Sequence, residues 1–335
     1  MSILTEQGQS AAAPSQHRGE LNALLVGCGI CRLERALVSL GGRDRVRWLN
    51  GMVTNNIRDL QPGRGVYNFV LTPQGHILGD LYVFNPGENL IAEIERTQLE
   101  TLLAIFRKYI IMDKVEIEDL TSKFAVIGVA GPKSLDMLAF LGLPNDLAPL
   151  AIANRDWNGT SLSVVRGDNS CVLSVELWVA ADKTEAVWSA LLQAGAEAIG
   201  EEALETFRIL CGIPKFGQDI RERTLPQETG QDRALNFTKG CYIGQEIVER
   251  IRSRGAVHKT FIGFEVEGPV PAAGTKIQND GKDVGEITSV LAAPLKGKRL
   301  ALGYLRREFA GGEKELKAGD ASVRPASLPL TNLLS

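Results

Sequence analysis

From Ala36 onward, apolar and polar positions follow two periods, one near two residues and one near 3.6 residues. ALVSL (36–40) is a short β-rich run, and GGR marks a turn. Asp44 is placed to cap a helix whose apolar face is Val46, Leu49 and Met52. GVYNFVLT, HILGDLYVFN and NLIAEIE then read as strands, separated by TPQG and NPGEN, both good turn sequences. RTQLETLLAIFRKYII places Leu99, Leu102, Leu103 and Phe106 on one helical face.

A similar order returns downstream. FAVIGVAG is a strand and turn, PKSLDMLAFLG a helix with Pro132 at its start, LSVVRGD and CVLSVELWVA strands, and KTEAVWSALLQAG a helix. The pattern predicts an α+β protein of two related units, each an antiparallel sheet with helices on one face. Helices are too few per strand for a doubly wound parallel sheet. After Gly255 only short β-rich pieces punctuated by Gly, Pro, Asn and Asp remain, the pattern of a small β-barrel or sandwich. The expected division is a polar tail over 1–20, a first unit from 21–120 plus 205–257, a second over 121–204, and a barrel over 258–335.

Composition changes little in this picture. In 335 residues the hydrophobic share is 44% and the charged share 23%, enough to bury a sizeable core. With 37 basic against 40 acidic residues, a net charge of -3 argues against a nucleic-acid coat or an anionic-membrane binder. No apolar run reaches the length of a membrane span, and the first 20 residues lack a signal-peptide core, so a cytoplasmic protein is expected. Five scattered cysteines fit reduced thiols, and three histidines make a His-built metal site a poor expectation.

Candidate chemistry concentrates in a few places. ALLVGCGICRLERA reads as an apolar strand followed by Gly27-x-Gly29, but Arg32 stands where a dinucleotide fingerprint needs a third glycine. Cys28-x-x-Cys31 has no second pair with which to close a zinc site. KGCYIGQEIVERIRSRG (239–255) is more informative. Gly240 and Gly244 flank Cys241 and Tyr242, and Ile243, Ile247, Val248 and Ile251 have helical spacing, with Glu246 and Arg250 one turn apart and Gly255 as the stop. A thiol near a helix N-terminus with Lys239 close by favours the thiolate; a thiol filling a turn is the equal alternative. Glu176 lies beside Trp178 in an apolar strand, where it is either a ligand contact or a solvated outer residue. Arg208 follows a helical apolar face, where it either recognises an anion or pairs with Glu205.

KGCYIGQE with its trailing R-x-x-x-x-G resembles the signature of the YgfZ-type folate-binding proteins, relatives of the glycine-cleavage aminomethyltransferase, or T-protein. WLNGMVTNNI, LTPQGHILGDLYVF, RILCGIPKFGQDI and LALGYLRREF resemble further elements of that family, from about Gly29 to Leu330. The resemblance implies a three-part ring that binds tetrahydrofolate or a one-carbon derivative. Glu176 would hold the pterin N–H groups, with Arg208 and the barrel residue Tyr304 in the same pocket and Met52 and Asn55 on the lining loop. Lys239, Arg250, Arg252 and Arg254 would face the folate's glutamate tail. Where the T-protein hairpin has two successive aspartates, this chain has Gly79-Asp80, so Asp80 is the remaining acid–base candidate. The implied role is support of iron–sulfur cluster assembly or repair, with Cys241 as functional thiol. Iron–sulfur client or assembly proteins, tRNA-modifying enzymes among those served, would be the partners, with no direct nucleic-acid binding. A folate-dependent aminomethyltransferase is the first alternative and a nucleotide-dependent methyltransferase-like protein the second.

Overall fold

The computed structural model describes residues 14–168, 171, 173–255, 257–311 and 315–334. Three sheets organise the chain. The first takes β2 (Arg35–Gly41), β3 (Arg64–Leu71), β4 (Ile77–Asn85), β5 (Leu90–Glu95) and β6 (Glu116–Asp119), in the order β3-β4-β5-β2-β6 and antiparallel throughout. Helices α2 (Arg45–Met52) and α3 (Leu99–Lys108) cover one face of it. Along β4, Leu81 and Val83 point into that helix-covered core with Leu102, Leu103 and Phe106. α3 is held by its apolar stripe and by Glu100 in its first turn and Arg107 and Lys108 in its last, charges that suit the helix dipole. Asp44 precedes α2 but does not cap it; its carboxylate accepts the Lys114 N–H at 2.8 Å, tying the start of α2 to the segment after α3.

The second sheet contains β1 (Gly29–Leu33), β7 (Phe124–Ala130), β8 (Ile152–Trp157), β9 (Thr160–Arg166), β10 (Ser174–Ala180) and β11 (Glu197–Ala198), in the order β11-β1-β7-β10-β9-β8. All its pairings are antiparallel except β1 with β11. Helices α4 (Ser134–Phe140) and α5 (Thr184–Gln193) close over its outer core.

Two expectations change at the N-terminus. The stretch read as tail and strand is helix α1 (Pro14–Val26), and residues 1–13 of the expected tail lie outside the described residues. Gly27 follows α1 and leads into β1, so the Gly-x-Gly turn runs from helix to strand, the reverse of the order a dinucleotide site uses. β1, grouped above with the first unit, pairs with β7 across five residues and belongs to the second sheet. α1 packs on α6 (Glu201–Cys211), and the Glu20 carboxylate accepts the Gly200 N–H at 2.9 Å, satisfying a free donor at the start of α6.

The sheets face each other. Leu37 and Phe84 from the first meet Val126, Ile152, Val165 and Trp178 from the second, with Phe84 and Trp178 edge to face at 5.3 Å. Backbone bonds join one corner, from Ile152 N–H to the Gly63 carbonyl (3.0 Å) and from Gly65 N–H to that of Leu150 (2.7 Å). The C-terminal part is a closed six-stranded barrel of β12 (Lys259–Glu267), β13 (Lys276–Asn279), β14 (Lys282–Val290), β15 (Arg299–Arg306), β16 (Leu316–Ala318) and β17 (Ala321–Ala326). Its interior is aliphatic with Phe264. The remaining helices are α7 (Gln245–Arg254) and the short α8 (Arg307–Ala310).

One polar cluster locks the barrel to the rest. Asp219, fully buried, accepts from the Arg208 guanidinium (2.7 Å), the Lys215 N–H (2.9 Å) and the hydroxyls of Thr288 (2.5 Å) and Ser289 (2.7 Å) on β14. Arg208 also donates to Glu205 (2.6 Å), the Ile213 carbonyl (2.6 Å) and Ser289 (2.8 Å). Removing one member leaves buried charge without its partner, so Asp219→Ala should lower the free energy of unfolding by about 3–5 kcal/mol, read as a fall in the urea midpoint. A change under about 1 kcal/mol would remove this cluster from the joint.

Candidate functional site

Where the two sheets diverge beyond the Phe84–Trp178 contact they enclose a cavity of about 500 Å³, within the range of small-molecule sites. Its apolar wall includes Leu33, Phe84, Val165 and Phe207. Its polar groups come from strand positions whose alternation turns them away from the helix-covered cores. Arg35 starts β2, Glu93 lies on β5 opposite Leu37 and Tyr82, and Glu176 lies on β10.

Arg35 Nε approaches both acids, at 3.0 Å from Glu93 and 3.9 Å from Glu176. Its N–H has no well-aligned acceptor, so this buried donor is free to turn to a bound molecule. Burial opposes the Arg35 charge, but Glu93 and Glu176 outweigh it and hold the guanidinium above its ordinary range. Burial, and then the charge of Glu176, push the Glu93 carboxyl well above the usual carboxylate range. Glu176 also accepts the Trp178 indole N–H at 3.3 Å.

A second cluster stands at a more exposed edge of the cavity. Arg233, in the 3-10 turn Asp232–Ala234, pairs with Asp168 after β9, and both meet the Tyr82 hydroxyl at 3.2 Å. The guanidinium lies 4.4 Å from the Tyr67 ring, a cation–π contact that fixes its plane. Tyr67 donates to Asp80 at 2.6 Å, and Gln98 holds the other oxygen of Asp80 at 2.8 Å. Burial, with the Asp80 charge second, raises the Tyr67 hydroxyl well above its ordinary value, so it stays a donor.

Asp80 shares its strand face with Tyr82 and Phe84, both of which line the cavity. Gly79 faces the other way. A Cβ there would meet Leu102 and Gln98 at 2.8 and 2.9 Å, so a carboxylate at position 79 would point at α3 and not at the cavity.

The expected ligand contacts are not gathered in one place. Glu176 lines the cavity. Asn55 donates to the carbonyls of Tyr67 (3.1 Å) and Arg233 (2.9 Å), bracing the cavity edge from outside. Met52 lies in the helix-covered core of the first sheet. Arg208 belongs to the barrel joint and is not among the cavity-lining residues. Tyr304 lines a separate cleft of about 530 Å³ beside the barrel, with Arg221, Lys259 and Arg306. Arg35, Glu93, Tyr82, Asp168 and Arg233 are cavity residues that the sequence did not single out.

The KGCYIGQE segment lies outside the cavity lining. Gly244, at φ +85°, has its Cα where a side chain would meet the Thr72 carbonyl at 2.6 Å; α7 follows it, and Gly255 ends α7. The Gln245 side chain accepts the Tyr242 N–H at 3.3 Å, and Val248 buries the inner face of α7. Lys239 is buried and donates to the carbonyls of Asn50 (2.7 Å), Val53 (2.7 Å) and Asn55 (2.5 Å) at the end of α2. Its ammonium is therefore committed to that helix end rather than to the thiol. Burial, with the Arg58 charge second, pushes it down to about 7. Cys241 is exposed, as are Gly240, Glu246 and Arg250.

Neither Lys239, Arg250 nor Arg252 lines the cavity, and Arg252 lies 4.4 Å from the Phe237 ring. Cys28 and Cys31 are buried in different cores, and burial pushes the Cys31 thiol up to about 12. Among the described residues no group of His, Cys, Asp and Glu is arranged to hold a metal, and no helix is long and apolar enough to cross a membrane.

A glycine in the left-handed region that also touches a neighbour tolerates no side chain. Gly244→Ala should cost about 1–3 kcal/mol by urea unfolding, whereas Gly240→Ala, with open space around it, should stay within about 0.5 kcal/mol. Equal effects would contradict the strained turn.

Comparison with known proteins places this geometry. The aminomethyltransferase of Rippkaea orientalis is 28% identical over 286 residues, covering 81% of this chain and 76% of that protein. The aminomethyltransferase of Thermus thermophilus is 26% identical over 297 residues, covering 86% and 82%. A chloroplastic protein of Arabidopsis thaliana is 24% identical over 286 residues, covering 84% of this chain and 66% of that protein. In fold, the glycine cleavage system aminomethyltransferase T of Bartonella henselae superposes with a TM-score of 0.85 at 19% identity, over 95% of this chain and 90% of that one. The GCVT N-terminal domain matches residues 16–239, and the glycine cleavage T-protein C-terminal barrel domain matches residues 259–328. With both domains present in order over most of its length, the chain belongs to the glycine-cleavage T-protein family.

Proposed function

We propose that this chain is a tetrahydrofolate-binding protein that supports iron–sulfur cluster assembly or repair, with Cys241 as its functional thiol. The observation that carries the reading is the separation of two features on an aminomethyltransferase-type fold. A cavity with a fixed carboxylate suits the heterocycle, and an exposed thiol stands elsewhere on an anchored loop. The cavity residues fit a reduced pterin: Glu176 accepts from neighbouring N–H groups, Arg35 has an unsatisfied donor, and Phe84 and Val165 supply an apolar wall. Bound tetrahydrofolate would bring one-carbon chemistry to this cavity. The chain's own residues would bind and orient the ring. Cys241, on a loop held by Lys239 and the Gly244 turn, is exposed and would be the thiol that meets a cluster in transit.

A second reading, a folate-dependent aminomethyl or related one-carbon transferase, is favoured by Asp80. That acid stands on the cavity side of β4, held by Tyr67 and Gln98, and the aspartate lost at position 79 would have faced α3. The relatives named as aminomethyltransferases point the same way.

Calorimetric titration with 5-formyltetrahydrofolate tests the cavity. Wild type should bind, Glu176→Ala should lose about 10-fold or more, the worth of a hydrogen bond to a charged group, and Cys241→Ser should be unchanged. No binding by wild type would end the folate reading. For the thiol, Cys241→Ser should reduce the activity of iron–sulfur enzymes in cells lacking the native protein, while Asp80→Asn should not. The opposite result, together with turnover of an aminomethyl donor that Asp80→Asn abolishes, would establish the transferase.

A further inference from the structure

Two acids and one base meet at the floor of the cavity. Glu93 is 4% exposed, and its carboxyl and that of Glu176 approach the same Arg35 nitrogen. Both acids thus depend on a single guanidinium. Two carboxylates drawn to one point repel each other, and a proton on one of them relieves the repulsion. One guanidinium neutralises one of the two acids, and burial of the second as an anion is costly. Glu176 already accepts from the Trp178 N–H, and Glu93 is the more buried of the two acids.

We propose that Glu93 and Glu176 hold one proton between them, borne by Glu93, and that Glu93 is a specificity-determining residue of the cavity. The floor then presents a hydrogen-bond donor beside an acceptor. Such a floor reads a heterocycle edge that carries an acceptor next to adjacent N–H donors, as the amino-oxo edge of a reduced pterin does. The ligand's identity rests on the folate reading above; the shared proton does not.

The surroundings keep the proton in place. Besides Arg35 from β2 and Glu176 from β10, Asp80 from β4 acts on Glu93, the Glu93 charge acts on Tyr82 from β4, and Glu95 from β5 acts on Arg35. Arg233 acts on Tyr82 rather than on the pair itself. The added negative charges reinforce burial in holding Glu93 protonated beyond its ordinary 4.5. The sign of the linkage follows. A folded-state value above the unfolded one means that the native protein binds more protons. This contribution to stability is complete below about 4.5 and is lost as pH rises through the folded value.

Glu93→Gln keeps a donor that cannot ionise, and Glu93→Val removes it. In titrations with 5-formyltetrahydrofolate, wild-type affinity should fall by about 10-fold for each pH unit above the point at which Glu93 loses its proton. Glu93→Gln should match wild type at pH 6 within about threefold and lose the pH dependence, and Glu93→Val should be weaker by about 10-fold or more at every pH. Glu93→Gln behaving as Glu93→Val would overturn the proposal. A measurement without ligand separates it from the folate reading. Infrared spectra of the free protein near neutral pH should contain a protonated-carboxyl stretch that Glu93→Gln abolishes, whether or not folate binds. Its absence in wild type would overturn the shared proton on its own.

Discussion

Two antiparallel sheets laid face to face must fill the space between them, and this protein does so at one end only. Leu37, Phe84, Val126, Ile152, Val165 and Trp178 form a dry contact there. At the other end the corresponding positions are Arg35, Glu93 and Glu176, which cannot pack as hydrocarbon does. The apolar end supplies the cohesion, worth several kcal/mol for Phe84 or Trp178 alone. It thereby holds the sheets at a spacing that leaves the polar end hollow. A cavity in this place is a consequence of incomplete packing, and its polarity follows from which side chains were left to line it.

The barrel is tied to this arrangement by an apolar contact with α1 and α6 and by a buried polar cluster. Arg208 and Asp219 gain little net energy from being buried together, since desolvation offsets most of their attraction. What they supply is a unique geometry: α6, the loop from Ile213 to Ile220 and strand β14 can each satisfy the cluster in one relative position only.

Much of the fold is legible along the chain because strand and helix periods are local. The helix from Gln245, its glycine stop and the aliphatic barrel strands needed nothing beyond neighbouring residues. The N-terminus was misread because ALLV is equally apolar as a strand or as a helix end; contact with α6 decides between them. The cavity shows the same limit. In LIAEIE, Leu90, Ala92 and Ile94 face the core, so Glu93 falls on the face that a lone sheet would turn to water. Only the approach of the second sheet, built from residues far along the chain and from β1 before it, buries that acid. Glu176 stood out because Trp178 shared its face. Arg208 looked the same in sequence whether it met a ligand or Asp219. The family resemblance placed Tyr304 with Glu176, whereas barrel closure puts it on a separate cleft.

The Arg233–Asp168 pair, braced by Tyr82 and Asn55, has a kinetic side. It joins the loop after β9 to the turn before the KGCYIGQE segment, across the more exposed edge of the cavity. A molecule as large as the cavity that enters by this edge must part the pair, and the pair closes again behind it. Such a latch raises the barrier to entry and to escape together, so residence time can be long without any gain in affinity. Salt weakens ion pairs at exposed edges far more than those at a buried floor. Exchange should therefore quicken with ionic strength while the equilibrium at Glu176 moves little, and the rim and the floor of one cavity would answer to different variables.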